Sequence, residues 1–205
     1  MRSRAGLYEF LEDEFSKILY GAKVLTIGSG GDVNSLLDKF AKLNDFHVVS
    51  FDIDKDRSPD IRGDVCNYEF SYEQFDVIIM AEALEHFHSP HDAIENLYNA
   101  LKSTGKLIIT VPFIFPIHDR PYDYQRFTRY GLEFLLKKFS KISISEKNNW
   151  GEAMATLLVR HIIETYRGRH IIVCIGIVLM PLLRVIGRIF PTDAITTGYH
   201  VVAVK

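Results

Sequence analysis

The sequence predicts an α/β fold built on a doubly wound parallel sheet, and three observations carry that prediction. Apolar runs of strand length alternate with helically periodic segments at least five times, an order that right-handed crossovers convert into a parallel sheet covered on both faces. The run Val24-Leu-Thr-Ile-Gly-Ser-Gly-Gly-Asp32 passes from a strand through a glycine cluster into a helix. Such a turn brings free N–H groups and the positive end of a helix dipole close to whatever is bound. The run Val77-Ile-Ile-Met80 follows Asp76 without polar alternation, as a strand buried on both faces requires.

Each element follows in order. Leu7, Phe10, Leu11, Phe15, Ile18 and Leu19 recur at helical spacing and predict an amphipathic first helix laid on the domain as cover. Residues 24–28 form a first strand and 47–52 a second, joined by a helix over 32–43 that Asp32 caps. A weakly signalled third strand falls in 60–65 and a clear fourth over 75–81. Ser89-Pro90-His-Asp92 starts the next helix with an N-cap serine, proline at the first helical position and an acid three residues after the cap. That helix runs to about residue 102; a turn at 103–105 then leads into a strand over 106–111, which Pro112 stops. Residues 113–127 hold no period and are crowded with Pro, His, Asp, Arg and Tyr, the mark of a functional loop in a compact domain. Thr128 caps a helix through 139, residues 140–147 read as a sixth strand, and 197–205 read as the last.

Composition narrows the function classes. A formal net charge of −2 shows no basic face for nucleic acid, so none is expected as a partner. Cys66 and Cys174 lie far apart in a strand-end and a helical context, which predicts free thiols in a reducing cytoplasm. Behind Met-Arg-Ser-Arg the acids Glu9, Glu12, Asp13 and Glu14 arrive too soon for a secretory signal.

Parallel sheets bind ligands outside the carboxyl ends of their strands. Gly28, Ser29 and Gly30 follow the first strand there, Asp52 ends the second, Asp64 and Val65 follow the third, and Glu82 follows the fourth. An acid a little over 20 residues beyond the glycines suits a bidentate hold on a ribose diol, and Ile53 beside it suits a purine face. Asp64 is placed to accept from an exocyclic amine, and the Val65 N–H to reach a ring nitrogen. These residues predict a nucleoside pocket. A dinucleotide is disfavoured, because Gly-x-Gly-x-x-Gly requires glycine where Val33 stands.

The same blocks carry a family resemblance. Val24-Leu-Thr-Ile-Gly-Ser-Gly, Phe51-Asp52-Ile-Asp54, Gly63-Asp64-Val65, Phe75-Asp-Val-Ile-Ile-Met-Ala-Glu82-Ala-Leu-Glu85-His86 and Leu101-Lys-Ser-Thr-Gly105-Lys-Leu-Ile-Ile-Thr-Val-Pro112 resemble, in order, the class I S-adenosylmethionine-dependent methyltransferases. The loop from Val111-Pro-Phe-Ile-Phe-Pro-Ile-His118 to Arg126-Phe-Thr128 is most similar to small, type 11-like methyltransferase-domain proteins associated with surface-glycan and lipopolysaccharide gene clusters. The resemblance covers 24–139. It implies a mostly parallel seven-stranded Rossmann-like sheet with an antiparallel last strand, S-adenosylmethionine as cofactor and S-adenosylhomocysteine as product. Thr26 stands where that family usually has an acid, and Asp32 where it usually has a third glycine, so a weaker hold on the cofactor's amino-acid end is expected.

The expected reaction is transfer of a methyl group to an oxygen or nitrogen of a small-molecule or glycan-type acceptor. His118 is the candidate base, since imidazole titrates near pH 6.5, and Tyr122, Asp123 and Arg126 are candidate substrate holders in the same loop. Two other readings stay open: a non-catalytic nucleoside-binding or scaffold protein on this fold, and an NAD-dependent sugar-modifying enzyme. The run Glu85-His86-Phe-His88-Ser-Pro-His91 straddles a helix start without a cysteine nearby, and no metal site is expected from its spacing.

The chain is expected to be one domain: an N-terminal helix over 1–20, a cofactor-binding core over 21–147, an apolar helical insertion over 148–196 and a last strand over 197–205. Within the insertion, 171–183 is apolar all round but shorter than the roughly 20 residues a bilayer needs, and Pro181 interrupts it and starts a new helical piece. Leu182, Val185, Ile186 and Ile189 then form a stripe. Residues 165–192 carry no acid but include Arg167, Arg169, His170, Arg184 and Arg188. Peripheral contact with an anionic membrane suits that asymmetry, while a buried helix pair or a homodimer interface through 165–190 suits the apolar character.

Overall fold

The computed structural model of the chain describes residues 5–28, 31–165 and 170–205. Among them, seven strands form one sheet: β1 (Lys23–Ile27), β2 (His47–Asp52), β3 (Ile61–Arg62), β4 (Phe75–Ala81), β5 (Leu101–Pro112), β6 (Lys141–Glu146) and β7 (Gly198–Val204). Their order is β3-β2-β1-β4-β5-β7-β6, parallel from β3 through β5, with β7 antiparallel to both β5 and β6. This is the mostly parallel, doubly wound sheet with an antiparallel final strand that the sequence and its resemblance led us to expect. The helices are α1 (Ala5–Ser16), α2 (Gly31–Asn44), α3 (Pro90–Ala100), α4 (Arg129–Leu135), α5 (Trp150–Thr165) and α6 (His170–Ile189).

Successive strand residues point to opposite faces, so an unbroken apolar strand feeds two cores at once. Val24, Val77, Ile79 and Ile108 pack with Leu7, Leu11, Phe15 and Ile18 under α1 on one face. Leu25, Ile78, Met80, Leu107 and Ile109 pack with Ala93, Ile94 and Leu97 of α3 on the other. Burying one such large side chain contributes roughly 1.5–3 kcal/mol, which is why the two layers hold the strand ends in fixed positions. α1 ends at Ser16, so Leu19, the last member of its sequence stripe, lies exposed.

Several boundaries differ from the sequence reading. The third strand is only Ile61–Arg62. α2 begins at Gly31, which puts Asp32 inside the first turn and not at the cap, where Tyr8 Oη donates to its Oδ2 at 3.3 Å. Ser89 does take the N-cap position of α3, but its hydroxyl donates to the Asp92 carboxylate and caps no backbone N–H. α3 stops at Ala100, and the expected turn at 103–105 sits inside β5 as an irregularity between the pairs Phe75↔Leu101 and Val77↔Lys106. Thr104 there adopts φ 67°. α4 ends at Leu135 instead of 139, while Thr128 caps it as expected, its hydroxyl accepting from the Gly131 N–H at 3.0 Å.

Pro181 does not divide the tail: α6 runs through it from His170 to Ile189. Proline removes one helical hydrogen bond, and packing of the two helices outweighs that loss. They approach so closely that a Cβ on Gly151 would lie 1.8 Å from the Leu183 carbonyl oxygen. Arg184 turns inward to pair with Glu152 of α5 at 2.9 Å and leaves the proposed basic face. Leu182, Val185 and Ile189 are exposed, as is Phe190 beyond the helix end. Arg167 and Arg169 lie outside the described residues, as do the side chains at 171–178. No helix among the described residues is long and apolar enough to cross a membrane.

Candidate active site

The residues expected to face a nucleoside lie at three neighbouring strand ends. Gly28 closes β1 at φ 84°, a left-handed conformation that suits glycine, and its N–H donates to the Phe51 carbonyl of β2 at 2.9 Å. Ser29 and Gly30 lie outside the described residues. Asp52, the last residue of β2, is buried; its Oδ1 accepts from the Asp54 N–H at 2.8 Å, and Arg57 Nη1 stands 3.7 Å from Oδ2. Ile53 beside it is 65% exposed, an apolar face held out at the strand end. Asp64 follows β3, with Oδ1 accepting from the Cys66 N–H and Oδ2 facing His88 Nε2, each at 3.0 Å. Burial pushes its carboxyl up, but His88 and the Cys66 N–H outweigh that and hold it below its ordinary value. Val65 is buried, and its carbonyl accepts from Asn96 of α3 at 3.0 Å. A left-handed glycine, a strand-end carboxylate and an exposed aliphatic side chain fit the phosphate-free nucleoside of an S-adenosyl group.

Thr26 fills the position of the expected acid. It is buried in β1 and donates to Asn34 Oδ1 of α2 at 3.3 Å, so helix and strand are tied by a neutral bond.

Glu82 stands at the end of β4 with φ 53°, a conformation that costs a non-glycine residue of order 1–3 kcal/mol. Two acceptors on Thr110 of β5 hold it there, the carbonyl at 2.9 Å and the hydroxyl at 3.1 Å. Its Oε2 pairs with Lys147 at 3.0 Å, and its Oε1 is buried without a hydrogen bond.

The chain next makes a 3-10 turn, Leu84–His86, and the loop over 113–128 folds back upon it. Tyr124 and Gln125 donate their N–H groups to the Glu85 carbonyl at 3.0 and 3.2 Å, which docks the loop on the end of β4. The other end of the loop is tied to the start of β7, with the Phe113 N–H donating to the Thr197 carbonyl at 2.8 Å. Arg126 braces the interior. Its Nη2 donates to Asp123 Oδ2 at 2.7 Å and its Nη1 to Asp123 Oδ1, with further donation to the Gln125 carbonyl at 2.8 Å. Arg126 thereby holds the buried Asp123 carboxyl well below the usual carboxylate range. These donors are committed within the loop, so Arg126 shapes the loop from inside and does not reach out as a free clamp.

His118 is half-buried against this brace. Its backbone N–H donates to Asp123 Oδ2 at 2.9 Å, its Nδ1 stands 3.2 Å from the same oxygen, and its Nε2 stands 3.5 Å from Glu85 Oε1. Glu85 raises the imidazole pKa above its ordinary value, against burial. Glu85 itself is fully buried, and burial pushes its carboxyl up. Tyr122 is 62% exposed with its ring on the surface of the loop, while its carbonyl oxygen meets His86 Nδ1 at 2.9 Å.

The structure therefore brings Gly28, Asp52 and Glu82 to adjacent strand ends and sets His118 beside Glu85 just past β4. The sequence singles out Glu85 and His86 only within a run weighed for a metal, and it gives no signal for Lys147 or Thr110. A signal for Glu85 was present: a second acid three residues after Glu82, at the end of an apolar strand, has no solvent in which to sit.

A family model described as a methyltransferase domain matches residues 3–166. No curated protein matches the chain at a significant level. Among solved structures, an S-adenosylmethionine-dependent methyltransferase from Archaeoglobus fulgidus superposes with a TM-score of 0.64 at 16% identity, over 100% of this chain and 95% of that one. A phosphoethanolamine N-methyltransferase 2 from Haemonchus contortus, in complex with S-adenosyl-L-methionine, gives 0.60 at 18% identity over 98% of this chain. This chain spans only 52% of that enzyme's length. An S-adenosylmethionine-dependent methyltransferase from Aquifex aeolicus gives 0.53 at 17% identity over 70% and 84% of the two chains. With most of its length matched, the chain belongs to the methyltransferase-domain family, and its sheet has the order expected of the class I fold.

Proposed function

We propose that the protein methylates an oxygen or nitrogen of a small-molecule or glycan-type acceptor, held between the end of β4 and the loop over 113–128. One observation carries this reading: the loop is hydrogen-bonded onto the Glu85 carbonyl and sets His118 against Glu85, just past the strand ends that fit the nucleoside. Gly28, Ser29, Gly30, Asp52, Ile53, Asp64 and Val65 hold the cofactor, with Glu82 facing its amino-acid end. Bound S-adenosylmethionine supplies an electrophilic methyl carbon; the acceptor's lone pair forms the new bond, the carbon–sulfur bond breaks, and sulfur keeps the electron pair. Holding the acceptor in line is the protein's main contribution, and proximity and orientation are worth roughly 7–11 kcal/mol. The acceptor's proton leaves at the cluster of Glu85, His86 and His118. Tyr122 offers its exposed ring to the acceptor, and Arg126 fixes the loop that presents both.

Calorimetry with S-adenosylmethionine and S-adenosylhomocysteine tests the reading. Binding of both is expected, and no heat from either at millimolar concentration sinks it. Methylated product from an acceptor panel of sugars, glycosides and phosphoalcohols then names the class.

The same reading assigns 1–20 to cover, 21–147 to the cofactor core, 148–196 to an insertion over the acceptor side and 197–205 to the closing strand. It has the enzyme act in the cytoplasm, with the exposed Leu182, Val185, Ile189 and Phe190 meeting a membrane surface or a second copy. Co-sedimentation with anionic liposomes supports the first; a dimer in solution without co-sedimentation supports the second.

A further inference from the structure

We infer that Glu85, His86 and His118 form a binding site for one divalent cation of the borderline class, Mn²⁺, Fe²⁺, Co²⁺ or Zn²⁺, which takes the acceptor's hydroxyl oxygen. The catalytic part of this inference rests on the methyltransferase function proposed above; the binding part stands on geometry alone. One carboxylate and two imidazoles are the donor set such ions prefer, and three protein ligands leave positions open for an acceptor.

The first argument is distance. One ligand atom from each of the three residues lies within 4.8 Å of the others. Glu85 Oε1 stands 3.5 Å from His118 Nε2 and 3.7 Å from His86 Nε2. With bonds of about 2.0–2.1 Å, ligand atoms around a tetrahedral ion sit about 3.4 Å apart. These separations are too long for hydrogen bonds and close to what an ion between them sets.

The second argument is the orientation of the rings. His86 Nδ1 is 2.9 Å from the Tyr122 carbonyl oxygen, which only accepts, so Nδ1 carries the proton. In the neutral ring, Nε2 then presents a lone pair, and it presents it to a carboxylate oxygen. His118 lies beside it, with Nε2 turned toward Glu85 and Nδ1 3.2 Å from Asp123 Oδ2 but without a hydrogen bond. A carbonyl behind the His86 imidazole is the support that fixes tautomer and aim in metal-binding histidines, and the Asp123 carboxylate stands behind His118 in electrostatic contact. Arg126 in turn locks that carboxylate through paired bonds.

The third argument is charge. Glu85 is fully buried, and neither of its carboxylate oxygens accepts a hydrogen bond. A buried carboxylate is costly unless it is paired or ligates a metal. The neighbouring cations are engaged elsewhere, Lys147 with Glu82 at 3.0 Å and Arg126 with Asp123 at 2.7 Å. Toward solvent, Asp119 Oδ2 lies 3.8 Å from His86 Nε2 and is 78% exposed in its side chain, which gives an entry path and a further oxygen ligand.

The run Glu85-His86-Phe-His88-Ser-Pro-His91 gives no metal spacing by itself, because its histidines straddle a helix start without a cysteine nearby. His88 pairs instead with Asp64, and the third ligand comes from the loop. Bound at this site, a hydroxyl oxygen loses its proton to solvent at lower pH, its lone pair forms the bond to the methyl carbon, and the sulfur leaves with the electron pair.

The test uses the full chain stripped with EDTA. Co²⁺ is followed by its visible absorption, Mn²⁺ by electron paramagnetic resonance, and S-adenosylhomocysteine by calorimetry on the same samples. One Co²⁺ per chain is expected, bound at about 10 μM or tighter. Affinity should fall by at least about 100-fold in Glu85→Gln and His118→Ala, beyond the loss usual for an outer-shell partner. Should Glu85→Gln fail to fold, His86→Ala, at a more exposed position, carries the same expectation. Retained S-adenosylhomocysteine binding shows that each variant keeps its fold. No uptake by the wild type below about 1 mM, or uptake that the substitutions leave unchanged, overturns the site. Metal binding without any S-adenosylhomocysteine binding upholds the site and overturns its role in methyl transfer.

Discussion

Acidification from pH 7 to pH 4 is expected to remove about 3 kcal/mol of stability through His200 alone. His200 sits in β7, 6% exposed, stacked on Phe10 of α1 with ring centroids 4.3 Å apart and planes 7° from parallel. Its Nε2 is buried without a hydrogen bond. Burial, helped by the nearby Lys147 cation and opposed only weakly by Glu82, lowers its pKa to about 4. In the unfolded chain the imidazole returns to about 6.5. The folded state therefore refuses a proton that the unfolded state accepts between these values. Stability is complete above about pH 6.5 and is lost as pH falls toward about 4, below which no more is lost. At about 1.4 kcal/mol per pH unit, the gap amounts to about 3 kcal/mol. Urea unfolding of the wild type and of His200→Phe at pH 7, 6, 5 and 4 isolates the effect, because the carboxylates titrate alike in both. The wild type should lose about 3 kcal/mol more than the variant across that range, with unchanged m-values. Parallel pH profiles would refute the reasoning.

Three other substitutions probe the site and the sheet. Asp52→Asn keeps the shape of the strand end but removes its charge, and S-adenosylhomocysteine affinity measured by calorimetry should fall by about 10- to 100-fold, the worth of a hydrogen bond to a charged group. Arg126→Gln leaves Asp123 as a carboxylate 2% exposed in its side chain without its counter-ion, and a loss of about 3–5 kcal/mol in urea unfolding is expected. Thr104→Gly relieves a β-branched residue at φ 67° and should raise the unfolding free energy by about 1 kcal/mol, less any entropy gained by the unfolded chain.

The strand ends proposed to hold the cofactor were legible because each follows a strand that the apolar pattern marks. Val77-Ile-Ile-Met80 announces a strand buried on both faces, and the position of Asp52 after Gly28 follows from one strand–helix–strand unit. The acceptor half was readable only as a stretch without period. Nothing local says that the Tyr124 and Gln125 N–H groups bond the Glu85 carbonyl, yet that contact decides which side chain His118 meets. Arg126 looked like a clamp for the same reason: its partner Asp123 lies three residues away in a segment with no helical register to pair them. Pro181 misleads in the opposite way: it carries a strong local preference, and close packing on α5 overrides it.

The insertion that separates β6 from β7 is closed at its base by Thr196 and tied there to the loop over 113–128. The buried Thr196 donates its hydroxyl to the carbonyls of Asn148, where the insertion begins, and of Gly198, where it ends, at 2.8 and 2.9 Å. The Thr196 and Thr197 carbonyls in turn accept from the Ile114 and Phe113 N–H groups at 3.2 and 2.8 Å. Farther along, the Arg160 guanidinium of α5 lies 5.4 Å from the centre of the Phe115 ring, and that ring meets His118 edge-on at 5.3 Å. A change in the insertion is therefore felt at the imidazole through two packed side chains, without passing through the sheet. The insertion and the loop thus pack together beside the strand ends proposed to hold the nucleoside. On the proposed function, repacking α5 against Phe115 should change acceptor choice while Gly28 and Asp52, on the far strands, keep their geometry.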